Sequence, residues 1–256
     1  MNGSRMRIVS GALLFAALAG GHAGAAGITI GMSAPLSGPN AAYGQGLLHG
    51  VKLGLAHAGT IDGQPVELKA MDDGGDPARA LENARRLIQA GAVALTAFHG
   101  TRSIEALRPL LEQTGVPLVG AASSADSLRE PPQRHLFNLR AGARDEVAAI
   151  VNHVDTIALN RIAAIAQDDG LGASGLEGLK VELVRLAMRP VASEGLTAGA
   201  TPEAVEAALR RVCSATPQAV LLALDARLAL EVLRSAARSG CSNTQFVAFS
   251  ETGAAL

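Results

Sequence analysis

The chain has 256 residues, 48% hydrophobic and 18% charged, which is enough apolar material for a sizeable core. Its net charge is −1, with one Tyr and no Trp, so the basic face and stacking rings that a nucleic-acid partner needs are missing. Aromatics make up 2% of the chain, and any pocket must be lined mainly by aliphatic and small side chains.

Arg5 and Arg7 precede an apolar run over residues 8–18, and Ala23-Gly24-Ala25 is an A-x-A cleavage signal. These are the three parts of a secretory signal, and the run is too short to span a bilayer. Residues 1–25 are expected to be removed on export. No Cys stands near the cleavage site, so a lipid anchor is not expected.

From residue 28 onward, strand and helix patterns alternate. Residues 28–32 read as a strand, 43–58 as a helix and 65–71 as a strand. Asp76-Pro77 then starts a helix to Gln89, with Asp as N-cap and Pro at the first helical position. The stretch 92–124 holds two short apolar strands, each ending in a small, hydroxyl-rich loop. The first loop, His99-Gly100-Thr101-Arg102-Ser103, opens onto a helix ending at Gly115; the second is Gly120-Ala121-Ala122-Ser123-Ser124. Free N–H groups at a helix start, beside hydroxyls, form an anion site. Two such loops in succession point to a ligand carboxylate, whereas one alone would read as an ordinary cap.

The polar stretch 126–135, with Pro131-Pro132, reads as a domain crossing. Strands follow at 136–139, 161–166, 190–193, 219–224 and 245–249, separated by helices at 145–158, 176–188, 203–212 and 228–239. Strands separated by helices give parallel sheets with helices on their faces. The expected fold is α/β, with two Rossmann-like lobes, 26–143 and 144–249, and residues 250–256 follow a strand with no helix after it. Cys213 and Cys241 each follow a helix and precede a strand. Export permits a disulfide between them, and two separate buried thiols fit the spacing equally well.

Catalytic and cofactor patterns are weak. Gly170-Leu171-Gly172-Ala173-Ser174-Gly175 matches G-x-G-x-x-G, and Glu194 falls where a ribose-binding acid would lie. Asp168-Asp169, however, sets two carboxylates where a pyrophosphate would sit, and an exported protein has no supply of nicotinamide cofactor. Asp72-Asp73 and Asp168-Asp169 read better as turn formers and helix caps. There is no G-x-S-x-G and no H-E-x-x-H. Neither an enzyme, a cofactor nor a metal site is expected.

The segments ITIGMSAPLSGPNAAYGQGLLHGVKLGL, GQPVELKAMDDGGDPARALENARRLI, VPLVGAASSADSL, RIAAIAQDDGLGASGLEGLK and LEVLRSAARSGCSNTQFVAF cover nearly the whole mature chain. Together they resemble the type I periplasmic substrate-binding proteins of the leucine/isoleucine/valine-binding family. The resemblance implies two α/β lobes closing on a small amino acid or related carboxylate, a periplasmic location, and delivery to an inner-membrane ABC permease. It places Thr101 and Ser103 at the first carboxylate loop and Ala122, Ser123 and Ser124 at the second. Tyr43 matches the aromatic beside the ligand side chain, and Glu251 the acid that grips the amino group. Leu171 and Asp225 stand where the second lobe usually carries aromatics. The family's first-lobe cysteine pair is replaced by Gly75 and Gly100. Family members continue well past Phe249, so the resemblance implies that 250–256 is the stub of a crossing back to the first lobe, in either a truncated chain exposing apolar faces of that lobe or a version that folds without the missing piece. The alternatives are a receptor for aromatic acids, amides or urea-like compounds, a non-binding remnant, and an exported enzyme using Ser123 or Ser124.

Overall fold

The first sheet is built on β1 (Ile28–Ala34), which lies between β3 (Gln64–Asp72) and β4 (Ala92–Thr96). In this computed structural model, which describes residues 27–253, the expected signal segment 1–25 lies outside the described residues. With β2 (Thr60–Ile61), β5 (Leu118–Val119) and β6 (Leu136–Phe137), the strand order is β2-β3-β1-β4-β5-β6. All pairs are parallel except β2 with β3. The second sheet has order β10-β9-β7-β8, from β7 (Ile162–Gln167), β8 (Ser193–Leu196), β9 (Ala219–Ala223) and β10 (Gln245–Ala248), all parallel. The expected α/β architecture is therefore present.

The helices are α1 (Ala41–Ala58), α2 (Pro77–Gln89), α3 (Thr101–Thr114), α4 (Ala143–Thr156), α5 (Gly170–Arg185), α6 (Pro202–Ser214), α7 (Ala226–Ala236) and the single turn α8 (Ser250–Gly253). A 3-10 turn at Asp126–Leu128 follows β5. Every residue of β7 and of β9 is buried, as parallel strands covered on both faces require. On one side of the second sheet, Leu179 and Leu183 of α5 join Val147 and Val151 of α4. That core continues through Leu128 to Ile104, Leu107, Leu95 and Leu87 beneath the first sheet. On the other side, Leu209 and Val212 of α6 pack with Leu222 and with Val232 of α7. Each fully buried Leu or Val contributes ~1.5–3 kcal/mol of transfer free energy.

The outer face of the first sheet is only partly covered. Helix α1 lays Leu47, Leu48 and Val51 against Met32 and Leu68. Phe137 and Leu139 are left 50% and 78% exposed. An apolar groove of about 650 Å³ runs between Leu47 and Val51 on one side and Thr96 and Leu139 on the other.

Four features differ from the sequence expectation. The stretch 126–135 is not the crossing between the sheets, because β6 directly after it pairs with β5 in the first sheet. Helix α5 starts at Gly170 rather than 176, because Asp169 caps it by accepting N–H bonds from Leu171 and Gly172. A Cβ on Gly172 would lie 1.9 Å from the Gln167 carbonyl oxygen, so its glycine serves close approach rather than a loop. The strand expected at 190–193 pairs as β8 at Ser193–Leu196. Val191 and Ala192 already bond to the edge of β7, but the ladder is regular only beyond them. The two-residue β2 carries too little pattern to be read from sequence; it is made by the turn at Asp62-Gly63, both with positive φ.

Cys213, in the last turn of α6, and Cys241, before β10, form a disulfide with Cα atoms 5.4 Å apart. Both are buried beside Val212 and Val220. The bridge closes a loop that contains β9 and α7, and chain-entropy arguments give about 3–4 kcal/mol for a loop of this length. Replacing both cysteines with Ala is expected to lower Tm by about 10 °C in calorimetry under non-reducing conditions. An unchanged Tm would show that the bridge adds nothing beyond the packing around it.

Candidate functional site

Five helices of more than one turn, and the single turn α8, begin around one cavity of about 180 Å³ between the two sheets; the lining residues at the five longer helices include Asn40, Pro77, Thr101, Leu171 and Ala226. This is smaller than the ~300–1,000 Å³ common for drug-sized ligands, so it suits a solute of few heavy atoms. Helix starts present unpaired N–H groups and a partial positive charge. Three of the five are satisfied from within: Asp76 caps α2 through Arg79 N–H, Asp169 caps α5, and Asp225 caps α7 through Leu228 N–H at 2.8 Å. Helix α1 has no side-chain cap bond, and it brings Asn40 and Tyr43 to the wall.

Helix α3 also lacks a side-chain cap, for a stated reason: its N-cap is Gly100, with φ +87 and ψ 133. That backbone region is open essentially to glycine alone, which removes the Ser, Thr or Asp that would otherwise close the helix end. Gly100, Thr101, Arg102 and Ser103 all line the cavity. The result is an open helix N-terminus flanked by two hydroxyls and a guanidinium.

Seven of the nine residues expected at the site line this one cavity: Tyr43, Thr101, Ser103, Ala122, Leu171, Asp225 and Glu251. Ser123 and Ser124 stand behind the wall, each almost fully buried. The Ser123 hydroxyl shares a 2.8 Å hydrogen bond with the Thr101 hydroxyl and accepts one from Ala125 N–H. Ser124 donates its backbone N–H to Glu251 Oε2 at 2.9 Å, while its own Oγ is buried with no hydrogen-bond partner among the described residues. Ser124 follows β5 of the first sheet and Glu251 lies in α8 after β10 of the second, so their bond crosses the cleft. So do the bonds from Arg102 to the Asp168 carbonyl, from Asp126 N–H to Ser174 Oγ, and from Arg140 to Ser250 Oγ. The cleft is closed around its cavity.

Several residues of the site carried no sequence signal. Gln167 lines the cavity and bridges two acids: its Nε2 donates to Asp169 Oδ2 at 2.7 Å, and its Oε1 accepts Asp225 N–H at 3.0 Å. Arg140 donates to Tyr43 Oη and lies 3.8 Å from Glu251. Burial raises the Glu251 carboxyl above its usual range, with Arg140 partly offsetting it. Burial likewise raises Asp225. His99 lies against Tyr43, ring centroids 4.8 Å apart and tilted by 54°. Protein surrounds its ring except where it meets the cavity, and that burial, aided by Arg140, pushes its pKa down to about 4. The wall therefore presents carboxyl groups at Asp169, Asp225 and Glu251, an open helix end at the start of α3, and an imidazole at His99 that is uncharged at neutral pH. Among the described residues no cluster of His, Cys, Asp and Glu could hold a metal ion.

Comparison with known proteins agrees with this architecture. A family described as periplasmic binding protein matches residues 27–256. A Leu/Ile/Val-binding protein of Rhizobium johnstonii is 30% identical over 195 residues, covering 73% of this chain and 52% of the relative. A substrate-binding periplasmic protein of Ralstonia solanacearum superposes with TM-score 0.77 at 29% identity, over 88% of this chain and 64% of that one. An extracellular ligand-binding receptor of Verminephrobacter eiseniae gives TM-score 0.79 at 26% identity, over 87% and 64%. The chain spans about half the length of the curated relatives it matches.

The His99 shift has a definite sign. A histidine whose folded pKa lies below its unfolded value binds fewer protons when folded, so it stabilises less as pH falls from about 6.5 towards 4. His99→Gln is expected to flatten the stability curve in that window, removing at most about 3 kcal/mol of pH dependence by urea titration. Parallel curves for the two proteins would mean that His99 titrates normally.

Proposed function

The chain belongs to the periplasmic binding protein family, and from that premise we propose that it captures a small amino acid, or a closely related small carboxylate, between its two sheets. In this reading the chain is exported to the periplasm, binds without turnover, and hands its solute to an inner-membrane ABC permease. The two sheets act as lobes, meeting near the start of α4.

The observation that carries the reading is the uncapped start of α3. Acids of the chain's own satisfy α2, α5 and α7, whereas α3 offers N–H groups, Thr101, Ser103 and Arg102 to an outside anion. Across the cavity, Glu251 and Asp225 supply negative charge for an ammonium group. A zwitterion matches both poles. Glu251 holds Ser124 N–H in the closed cleft, so ligand entry exchanges part of this internal bond for bonds to the solute.

Hydrogen bonds to a charged group contribute ~1.5–3 kcal/mol each, against association costs of ~4 kcal/mol or more. Three or four such bonds, with modest apolar burial, fit a micromolar dissociation constant of about −8 kcal/mol. A dye-monitored thermal-shift panel of amino acids and small carboxylates is expected to raise Tm for zwitterions. Thr101→Ala combined with Ser103→Ala should weaken the best of them by about a hundredfold in calorimetry with the circular dichroism spectrum unchanged. Full affinity in that variant would remove α3 from the site.

A further inference from the structure

The three acids facing the cavity are not equivalent. Both carboxylate oxygens of Asp169 are satisfied: Oδ1 accepts the N–H groups of Leu171 and Gly172, and Oδ2 accepts the Gln167 amide. Glu251 Oε2 accepts Ser124 N–H with Arg140 nearby, which leaves Oε1 for one ligand donor. Asp225 spends Oδ1 on Leu228 N–H and is also approached by the Arg227 N–H, but no side chain donates to its carboxylate among the described residues. The nearest cation in sequence, Arg227, is committed elsewhere, donating to the Ala198 carbonyl. A simple α-amino group needs one of the two open acceptors. The second remains as a partly buried carboxylate beside Asp169, offset only in part by the Arg227 charge, and a ligand cation meeting it there would stabilise it further.

We propose that Asp225 sets the specificity of this cleft for a short amino acid whose side chain carries a second amine, rather than for a branched aliphatic one. The inference rests on the reading of the cleft as an amino-acid site and adds a second cationic subsite to it. The side-chain ammonium donates to Asp225 Oδ2, while Glu251 serves the α-amino group and α3 the carboxylate. The Gln167 amide fixes the position of Asp225, because it holds the Asp225 N–H from one end and Asp169 from the other. Cavity volume restricts the side chain to a few carbons.

The test compares L-ornithine with L-norvaline, which has the same carbon chain without the amine, by isothermal calorimetry on the full chain. Wild-type protein should bind ornithine about tenfold or more tighter than norvaline. Asp225→Asn keeps an N-cap for α7, since Asn caps as well as Asp, and should bring the ornithine-to-norvaline ratio close to one. Asp225→Ser, also a capping residue, repeats the measurement should the first variant fold poorly. Equal binding of the two ligands by the wild type, or a preference that survives in both variants, overturns the subsite and leaves the amino-acid reading intact. If neither compound binds and the wider panel also gives no shift, the amino-acid reading itself falls, and this inference with it.

Discussion

The structure depends on how the positive ends of converging helices are satisfied. A parallel α/β arrangement sends helix N-termini towards the carboxyl ends of the strands, so each lobe gathers donors and partial positive charge at the same rim. Left bare, several such ends facing one another would repel and hold water. The chain answers with short acids placed one residue before the helix: Asp76, Asp169 and Asp225. At Gly100, whose φ and ψ together suit essentially glycine alone, a helix end beside hydroxyls stays open. In the proposed reading, recognition in this cleft follows from which helix end is left for an outsider.

Much of this was legible in the residues. Asp76-Pro77 announced a helix that starts at Pro77, because capping is a local interaction between neighbours in sequence. The apolar runs of β7 and β9 were legible for the same reason: burial on both faces leaves no polar alternation to confuse the pattern. The glycines of 170–175 misled because glycine signals both a loop and a close approach, and only the neighbour supplied by the fold distinguishes them. Gln167 and Arg140 were invisible. Their partners lie 58 and 97 residues away in sequence, and nothing local marks a long-range hydrogen bond. Ser123 and Ser124 were legible as hydroxyls near the site, but one residue of register turns a lining group into a supporting one.

The closed cleft is a product of side chains that bridge the sheets. Glu251 to Ser124, Arg102 to Asp168 and Arg140 to Ser250 are each single bonds with at least one partly exposed partner. Bonds of this kind contribute ~0.5–1.5 kcal/mol net apiece, comparable to the few kcal/mol that separate conformers in proteins with two states. The Gly172 backbone and the buried faces of α4 and α5, by contrast, have no slack. Motion between the lobes is therefore expected to be a rigid-body displacement that breaks polar bridges and leaves the packed cores unaltered.

Tyr43 belongs to two spaces at once. One part of its surface lines the cleft, while another lines the apolar groove between α1 and the first sheet. Its hydroxyl is held by Arg140 and its ring by His99. A single aromatic thus serves as a party wall between a polar chamber and a greasy one. Any shift of the ring would change the shape of both spaces together. The chain's one tyrosine is, in that sense, a place where the packing of the first lobe and the affinity of the cleft are written into the same side chain.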